Sequence, residues 1–292
     1  MTISITLLGT GCPSACPERR GAAQLIRTPQ RAVLVDCGSG VTQQLVAAGC
    51  PGAELDALLI THYHTDHLID LYQLIISSWH QGRAKPWIIH APLSAHAHIN
   101  AQMEAWRDER EWRIAFEKRP NSARGLEIEL HELGPGPLEL GGDLQVEAVP
   151  VDHRSVEPAF GFLFVAGPCR ILLSGDTAPC RNLVEAARGA DLLVHEVFIH
   201  RAMKVVEGLR SQETIDAVAA YHTLSSDVGA IAAEAGVKAL ALTHFVPPVF
   251  DKADLLAEIR RSYDGPVLIG EDLMRFELPA RQVHWDRFSA AF

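Results

Sequence analysis

The chain has 292 residues, enough for one large α/β domain or two small ones, and 48% of them are hydrophobic, as expected of a well-packed globular protein. The formal net charge of −10 provides no broad basic surface, so a nucleic-acid partner is not favoured. No stretch resembles a membrane span or a signal peptide, and the six scattered cysteines form no Cys-x-x-Cys pair, which predicts a cytoplasmic protein with reduced thiols.

The sequence of the first half of the chain predicts three strands, followed by helices that alternate with two further strands. Alternating or apolar runs bounded by turn residues predict strands over residues 3–8, 21–27, 31–36, 55–61 and 87–90. Helical periodicity predicts helices over residues 41–48 and 68–81, followed by one long charged helix over residues 96–116.

The second half predicts a further set of strands. They cover residues 144–151, 159–165, 170–174, 191–197, 238–243, 267–270 and 274–278, with a helix over residues 228–235. This order favours an α/β protein with two mixed sheets packed face to face and helices outside, formed by a single domain over residues 1–292.

A cluster of three histidines and one aspartate directly follows the apolar run 57–60. Imidazole and carboxylate groups are the ligands that borderline cations such as zinc prefer. His62 and His64 project to the same side of an extended segment, whereas Asp66 and His67 can face a second point roughly 3.5–4 Å away. The spacing predicts two metal ions, and the alternative is a histidine-rich loop without metal.

Two metal ions require further ligands elsewhere in the chain, and three later strands end in suitable residues. These are His153, Asp176 and His244, each at the carboxyl end of an apolar run, where sites in layered α/β proteins tend to form. Taken singly, His153 or His244 would be interpreted as a hydrogen-bonded structural histidine. As a set with the first cluster, they favour metal ligation.

Eight short motifs together resemble those of the metallo-β-lactamase-fold hydrolases, within their tRNase Z-like and arylsulfatase-like branch. The motifs are Leu8-Gly9-Thr10-Gly11, Asp36-Cys37-Gly38, His62 to His67, Val151-Asp152-His153, Ser174-Gly175-Asp176-Thr177, His195-Glu196-Val197-Phe198, Tyr221-His222-Thr223 and Leu242-Thr243-His244-Phe245. The resemblance covers most of the chain. It implies a four-layer αββα sandwich, which agrees with the predicted strand order.

The resemblance also implies a ligand set for two divalent metal ions. His62, His64 and His153 would hold one ion; Asp66, His67 and His244 would hold the other; Asp176 would bridge them. Zinc is the default for such ligands, and manganese or iron would also fit. Asp36 would orient a ligand histidine from behind, or alternatively would only close a turn.

These residues predict a hydrolase in which a hydroxide bridging the two metals attacks the substrate. By the resemblance, His222 would protonate the leaving group, and Glu196 would orient it and raise its pKa. Asp66, Glu196 and His222 are therefore the predicted catalytic residues. The alternative is that Glu196 pairs locally and His222 is a surface histidine.

The substrate is predicted to be a small anionic ester, with a phosphodiester favoured. Only 23 positions separate His153 from Asp176, which leaves no room for the long RNA-gripping arm of processing tRNase Z enzymes. An arylsulfatase, a tRNase Z-type endoribonuclease without that arm and a non-catalytic ligand-binding member are the alternatives. The aromatic residues Trp106, Trp112 and Phe116 would wall the pocket, form a homodimer contact or pack in the core.

Overall fold

The computed structural model describes residues 2–292, which form sixteen β-strands and eight α-helices. The strands are β1 (Ile3–Gly9), β2 (Ala23–Arg27), β3 (Ala32–Val35), β4 (Ala57–Leu59), β5 (Trp87–Ala91), β6 (Ile128–Glu132), β7 (Gly136–Leu138), β8 (Gln145–Val151), β9 (Ala159–Ala166), β10 (Cys169–Leu173), β11 (Leu192–Phe198), β12 (Leu240–Val246), β13 (Val267–Ile269), β14 (Arg275–Leu278), β15 (Gln282–Trp285) and β16 (Phe288–Ala291). The helices are α1 (Val41–Ala47), α2 (Leu71–His80), α3 (Leu93–Ala105), α4 (Arg107–Glu117), α5 (Arg181–Ala187), α6 (Gln212–Ala219), α7 (Ser225–Ala235) and α8 (Lys252–Ile259).

The strands form two mixed sheets. The first has nine strands in the order β16-β15-β14-β1-β2-β3-β4-β5-β6, and the second has seven in the order β13-β12-β11-β10-β9-β8-β7. Strands β3 to β6 are parallel to one another in the first sheet, as are β10 to β13 in the second. Parallel strands place their carboxyl ends at one edge, so each sheet has an edge suited to a site.

Three apolar cores lie between the layers of the fold. The core between the sheets contains alternate residues of single strands, such as Phe160, Phe162 and Phe164 of β9, because successive strand residues point to opposite faces. A second core joins α1, α2 and α3 to the outer face of the first sheet, and a third joins α5, α7 and α8 to the outer face of the second. The fold is thus the four-layer αββα sandwich.

The predicted helix over residues 96–116 is wrong in one respect: the structure has two helices there. They meet at Trp106, whose backbone leaves helical geometry (φ −105°, ψ 17°) and whose ring stacks on Tyr72 at 5.0 Å between centroids. Helix α4 has no buried residue, and Trp112 and Phe116 are 63% and 81% exposed, so these two rings do not pack in the core. A dimer contact through them stays a prediction.

Several elements were not predicted. They are the edge strands β6 and β7, helices α5, α6 and α8, and the carboxyl-terminal hairpin β15–β16 that extends the first sheet. These elements are short or half-exposed, so their apolar periodicity is weak. None of the helices in the described part of the chain has the length and apolar character needed to cross a membrane.

Candidate metal centre

The carboxyl ends of strands from both sheets meet at one edge of the sandwich and bring seven predicted ligands together. The first sheet contributes His62, His64, Asp66 and His67 from the segment after β4, and the second contributes His153 after β8, Asp176 after β10 and His244 within the end of β12. Most of these side chains are buried although they are polar. Burial of polar groups is costly unless they are paired or bind a ligand.

The first group of potential ligands is His62, His64, His153 and Asp176. The Nδ1 atom of His64 lies 3.0 Å from His62 Nε2 and 3.1 Å from His153 Nε2. Asp176 Oδ2 lies 3.9 Å from His62 Nε2 and 4.0 Å from His153 Nε2. A tetrahedral cation with bonds near 2.0–2.1 Å would separate its ligand atoms by about 3.3 Å; the distances from His64 to the other two histidines are close to this spacing, and the Asp176 oxygen lies farther out.

The second group is Asp66, His67 and His244. His244 Nε2 lies 3.2 Å from Asp66 Oδ2, and His67 Nε2 lies 3.5 Å from the same oxygen. The Oδ2 atom of Asp176 is 3.4 Å from His67 Nε2 and 3.3 Å from His244 Nε2, so this carboxylate faces both groups. The buried Nε2 of His67 has no hydrogen-bond partner among the described residues, and its lone pair would instead bind a cation placed between these atoms.

The charges in the site fit cation binding. Burial lowers the pKa of His62 well below its ordinary value, which leaves the imidazole neutral with a lone pair to donate. Burial opposes the charged form of His67, but Asp176, Asp66 and Asp36 hold its pKa well above the ordinary value. The carboxylates around His67 therefore stabilise positive charge where a metal ion would sit.

Asp36 lies directly behind the histidine cluster. Its Oδ2 is 2.7 Å from His67 Nδ1, and its carboxylate also accepts the N–H of Thr61 at 2.8 Å and the Thr61 hydroxyl at 2.9 Å. The Thr61 oxygen in turn lies 2.9 Å from His62 Nδ1. Asp36 thus orients one histidine directly and a second through Thr61, as outer carboxylates of metal sites do.

Two supporting groups were not predicted from the sequence. The Thr61 hydroxyl links Asp36 to His62, and the backbone carbonyl of Tyr221 lies 2.9 Å from His153 Nδ1. The position of Thr61, directly before the cluster and after a strand, was an available signal for the first. A backbone carbonyl carries no sequence signal, so the second could not be found that way.

His244 is presented by a β-bulge. In the pairing of β11 with β12, Glu196 is opposite Thr243 and Val197 is opposite Phe245, so His244 is the extra residue. Its φ angle of 45° lies in the left-handed region, which is uncommon for a residue other than glycine. Bulges next to sites redirect a side chain, and here the redirected imidazole faces Asp66 and Asp176.

Glu196 and His222 form a buried pair beside these ligands. Glu196 Oε1 lies 2.9 Å from His222 Nδ1 and accepts the N–H groups of Thr177 and Thr223, each at 3.1 Å. Burial lowers the pKa of His222, but the charge and hydrogen bond of Glu196, together with Asp176, raise it to about 9. The interpretation of His222 as a surface histidine is wrong, because only 6% of the residue is exposed.

His222 also lies close to the ligands themselves. One of its ring nitrogens falls within 4.8 Å of ligand atoms of Asp176 and His244, so these three residues are a further group that could hold a metal ion. His195, in contrast, is fully buried within β11, with its Nδ1 2.7 Å from the carbonyl oxygen of Glu196. The His195 ring is thus held inside the strand and is not among the converging ligand atoms.

A histidine and aspartate cluster of this kind, at the edge of an αββα sandwich, defines the class of metallo-β-lactamase-fold hydrolases. A family model described as a beta-lactamase superfamily domain matches residues 31–245. The chain therefore belongs to the beta-lactamase superfamily.

Curated relatives align over nearly the whole chain. A ribonuclease Z of Mycobacterium bovis (strain BCG / Pasteur 1173P2) is 34% identical over 285 residues, covering 96% of this chain and 100% of the relative. A ribonuclease Z of Mycolicibacterium paratuberculosis is 35% identical over 283 residues, covering 95% and 99%.

Solved structures show the same fold at lower identity. The metallo-beta-lactamase fold protein YhfI from Bacillus subtilis matches with a TM-score of 0.74 and 20% identity over 95% of this chain and 100% of its own. The short form of human tRNase Z matches with a TM-score of 0.70 and 23% identity over 94% and 99%.

Proposed function

We propose that the chain is a phosphodiesterase that uses two divalent metal ions and has His222 as its general acid. The observation that carries this proposal is the contact between His222 and Glu196, 2.9 Å from nitrogen to carboxylate oxygen, directly beside Asp176. A histidine held by a buried carboxylate next to a metal centre is suited to protonating a leaving alkoxide.

The proposed ligands follow the two groups of converging atoms. His62, His64 and His153 would hold one ion, and Asp66, His67 and His244 would hold the other, while Asp176 lies in reach of both groups. All seven belong to one proposed domain, because residues of both sheets pack together in the core between them. We assign Zn²⁺ to both positions, since imidazole nitrogens and carboxylate oxygens form ligand sets that suit zinc.

The metal ions and the protein have different roles in the proposed reaction. When bound, two adjacent divalent ions would supply an activated water molecule and would neutralise charge on the phosphoryl oxygens. The protein positions the proton donor: Glu196 accepts from Nδ1 of His222 and from two backbone N–H groups, which fixes the ring and leaves Nε2 free to face the substrate. His222 in its charged form then donates the Nε2 proton to the departing oxygen.

A phosphodiester is preferred to a sulfate ester for two reasons. The relatives named ribonuclease Z are 34–35% identical over almost the whole chain, and that name denotes cleavage of phosphodiester bonds. In addition, the paired His222 and Glu196 can supply the proton that a poor alkoxide leaving group needs.

RNA is the second candidate substrate. The alignment with a relative named ribonuclease Z favours it, although the short hairpin does not. Strands β9 and β10 form a short hairpin between His153 and Asp176, which predicts weak binding of large RNA. However, the Mycobacterium bovis relative is aligned over 100% of its length with this chain, so it has little additional sequence for a long arm either. The short hairpin therefore does not separate this chain from relatives named ribonuclease Z.

A substrate panel tests the proposal. Protein loaded with Zn²⁺ would be assayed with bis-p-nitrophenyl phosphate, p-nitrophenyl sulfate, a lactone and a precursor tRNA, and metal-free protein would serve as the control. We expect zinc-dependent turnover of the phosphodiester. Turnover of the sulfate without turnover of either phosphodiester substrate would overturn the proposal, and cleavage of the precursor tRNA alone would make RNA the substrate.

A further inference from the structure

The strained backbone at His244 needs support from outside its own strand. The residue is the extra member of a β-bulge and has a φ angle of 45°. Such a conformation costs free energy for a non-glycine residue and persists only where the surroundings enforce it. The residues that surround the turn after His244 should therefore determine how well its imidazole is aimed.

The amino-terminal loop between β1 and β2 provides that support. The N–H of Phe245 donates to the carbonyl oxygen of Thr10 at 3.1 Å, which ties the bulge to this loop. The guanidinium of Arg19 lies 4.4 Å from the centroid of the Phe245 ring and 5.6 Å from that of Phe250. A cation over an aromatic face is attracted to it, and the attraction grows when water is excluded.

Arg19 is itself held from several directions. Its Nη1 donates to the hydroxyl of Thr10 at 2.5 Å and to the carbonyl of Gly270 at 2.9 Å. Its Nε donates to the carbonyl of Pro248 at 3.3 Å, and its Nη2 lies 3.4 Å from the carboxylate of Glu271. Only 8% of Arg19 is exposed. One planar, permanently charged group thus joins three separate segments around the turn that follows His244.

We propose that Arg19 is a positioning residue for His244 and thereby for the metal ion held by Asp66, His67 and His244. The inference rests on the ligand role of His244 in the proposed function. Arg19 makes no hydrogen bond to any of the seven proposed ligands; it acts by holding Phe245, which follows His244 directly, and Pro248, three residues further along the same turn. Without Arg19 the bulge relaxes, and the His244 nitrogen moves away from Asp66. The affinity for the ion at Asp66, His67 and His244 then falls. The affinity for the ion at His62, His64 and His153 does not change.

Zinc titration of the metal-free protein tests this. Calorimetry with Zn²⁺ should give two equivalents for the wild type. For Arg19→Met, we expect one equivalent of zinc to bind with unchanged affinity and the other to bind with an affinity about tenfold or more lower. Loss of an outer supporting group at a metal site has effects of this size. Arg19→Lys keeps the charge but loses the planar fork, and we expect a weakening of about threefold or more. If Arg19→Met does not fold, the lysine variant decides the question.

Arg83 offers a matched control because it is also a buried arginine held by carbonyl groups. It donates to the carbonyls of Gly52, Leu55 and Pro86 and stacks on Trp87 at 3.9 Å, at the amino-terminal ends of β4 and β5, remote from the metal ligands. Arg83→Met should lower thermal stability while both zinc equivalents bind as in the wild type. Equal weakening of zinc binding by Arg83→Met and Arg19→Met would overturn the inference.

A double variant separates positioning from general damage. His244→Ala should already lack the weakened equivalent, so adding Arg19→Met should cause no further loss of zinc affinity. Wild-type zinc binding by Arg19→Met or Arg19→Lys would overturn the inference. If the wild type binds two equivalents of zinc but does not cleave a phosphodiester, only the proposed function is overturned. If the wild type binds a single equivalent of zinc, the ligand role of His244 is overturned, and this inference with it.

Discussion

The carboxylate of Asp36 contacts His67 Nδ1 at 2.7 Å from a left-handed backbone conformation, with a φ angle of 59°. The turn at residues 36–38 therefore serves the histidine cluster rather than only ending β3. The N–H of Cys37 also donates to the carbonyl of His67 at 2.7 Å, so the backbone and a side chain of this turn both hold His67.

Asp36→Asn should weaken zinc binding about 10- to 100-fold, because the amide cannot stabilise the His67 ring as the carboxylate does. Asp56→Asn is the matched control: Asp56 also accepts a backbone N–H, that of Ala32 at 2.9 Å, but lies before β4 rather than behind the ligands. Zinc affinity measured by competition with a chromophoric chelator should fall only for the first variant. Equal affinities would show that Asp36 only closes a turn.

His222→Ala should reduce phosphodiester turnover about 10²- to 10⁴-fold, since removal of a general acid has effects of this size. Two equivalents of zinc should remain, as measured by elemental analysis after gel filtration. Loss of one equivalent would assign His222 to metal binding with Asp176 and His244 instead.

Glu196→Gln should also lower turnover, and the double variant should be no worse than His222→Ala if the two residues act as a unit.

Gly38→Ala should destabilise the protein and loosen the metal site. A Cβ atom at position 38 would lie 2.5 Å from the carbonyl oxygen of Asp66 and 2.4 Å from the backbone carbon of Gly21, too close for either backbone to stay in place. We expect a loss of about 1–3 kcal/mol in the free energy of unfolding, typical of overpacking. Gly134→Ala is the control, because a Cβ there would meet nothing within 4 Å. Urea denaturation of both variants would measure the difference.

His90 should make the stability of the fold depend on pH. Burial and then the charge of His131, whose ring stacks on it at 5.0 Å, lower the pKa of His90 from 6.5 to about 4. Between these two values the unfolded chain binds a proton at His90 that the folded chain does not. The contribution of neutral His90 to the free energy of unfolding is therefore present above pH 6.5 and is lost as the pH falls towards about 4. In metal-free protein, His90→Gln should remove that part of the pH dependence, as measured by urea denaturation at several pH values. An unchanged pH dependence would contradict the prediction.

Much of the site was predictable because strand ends are visible in the sequence. His62, His153 and His244 each follow an apolar run, and parallel strands bring their carboxyl ends to one edge. The left-handed backbone at Asp36 and His244 was not predictable, because non-glycine residues adopt it only when tertiary contacts compensate the strain. Those contacts join positions that are distant in the sequence, 31 residues apart for Asp36 and His67 and more than 200 apart for Arg19 and Phe245, and they leave no local pattern.

The layered fold was predictable to a similar degree. Strongly apolar strands such as β9 and β11 give a clear signal, whereas the strands of the hairpin β15–β16 are short and largely exposed and give almost none. The break at Trp106 was missed because neither proline nor glycine marks it; the stacking of Trp106 on Tyr72 occurs only once the helices have packed.

The division of ligands between the two sheets has a consequence for how the protein unfolds. All six cysteines are free, so no covalent bridge joins the layers. Ions held between His62 and His153, and between His67 and His244, would connect segments far apart in the chain and act as removable cross-links between the halves of the sandwich. Chelation would then do more than stop turnover: it would let the two sheets separate at this edge first, and protease would cut the segments after β4 and β12 before the rest of the chain.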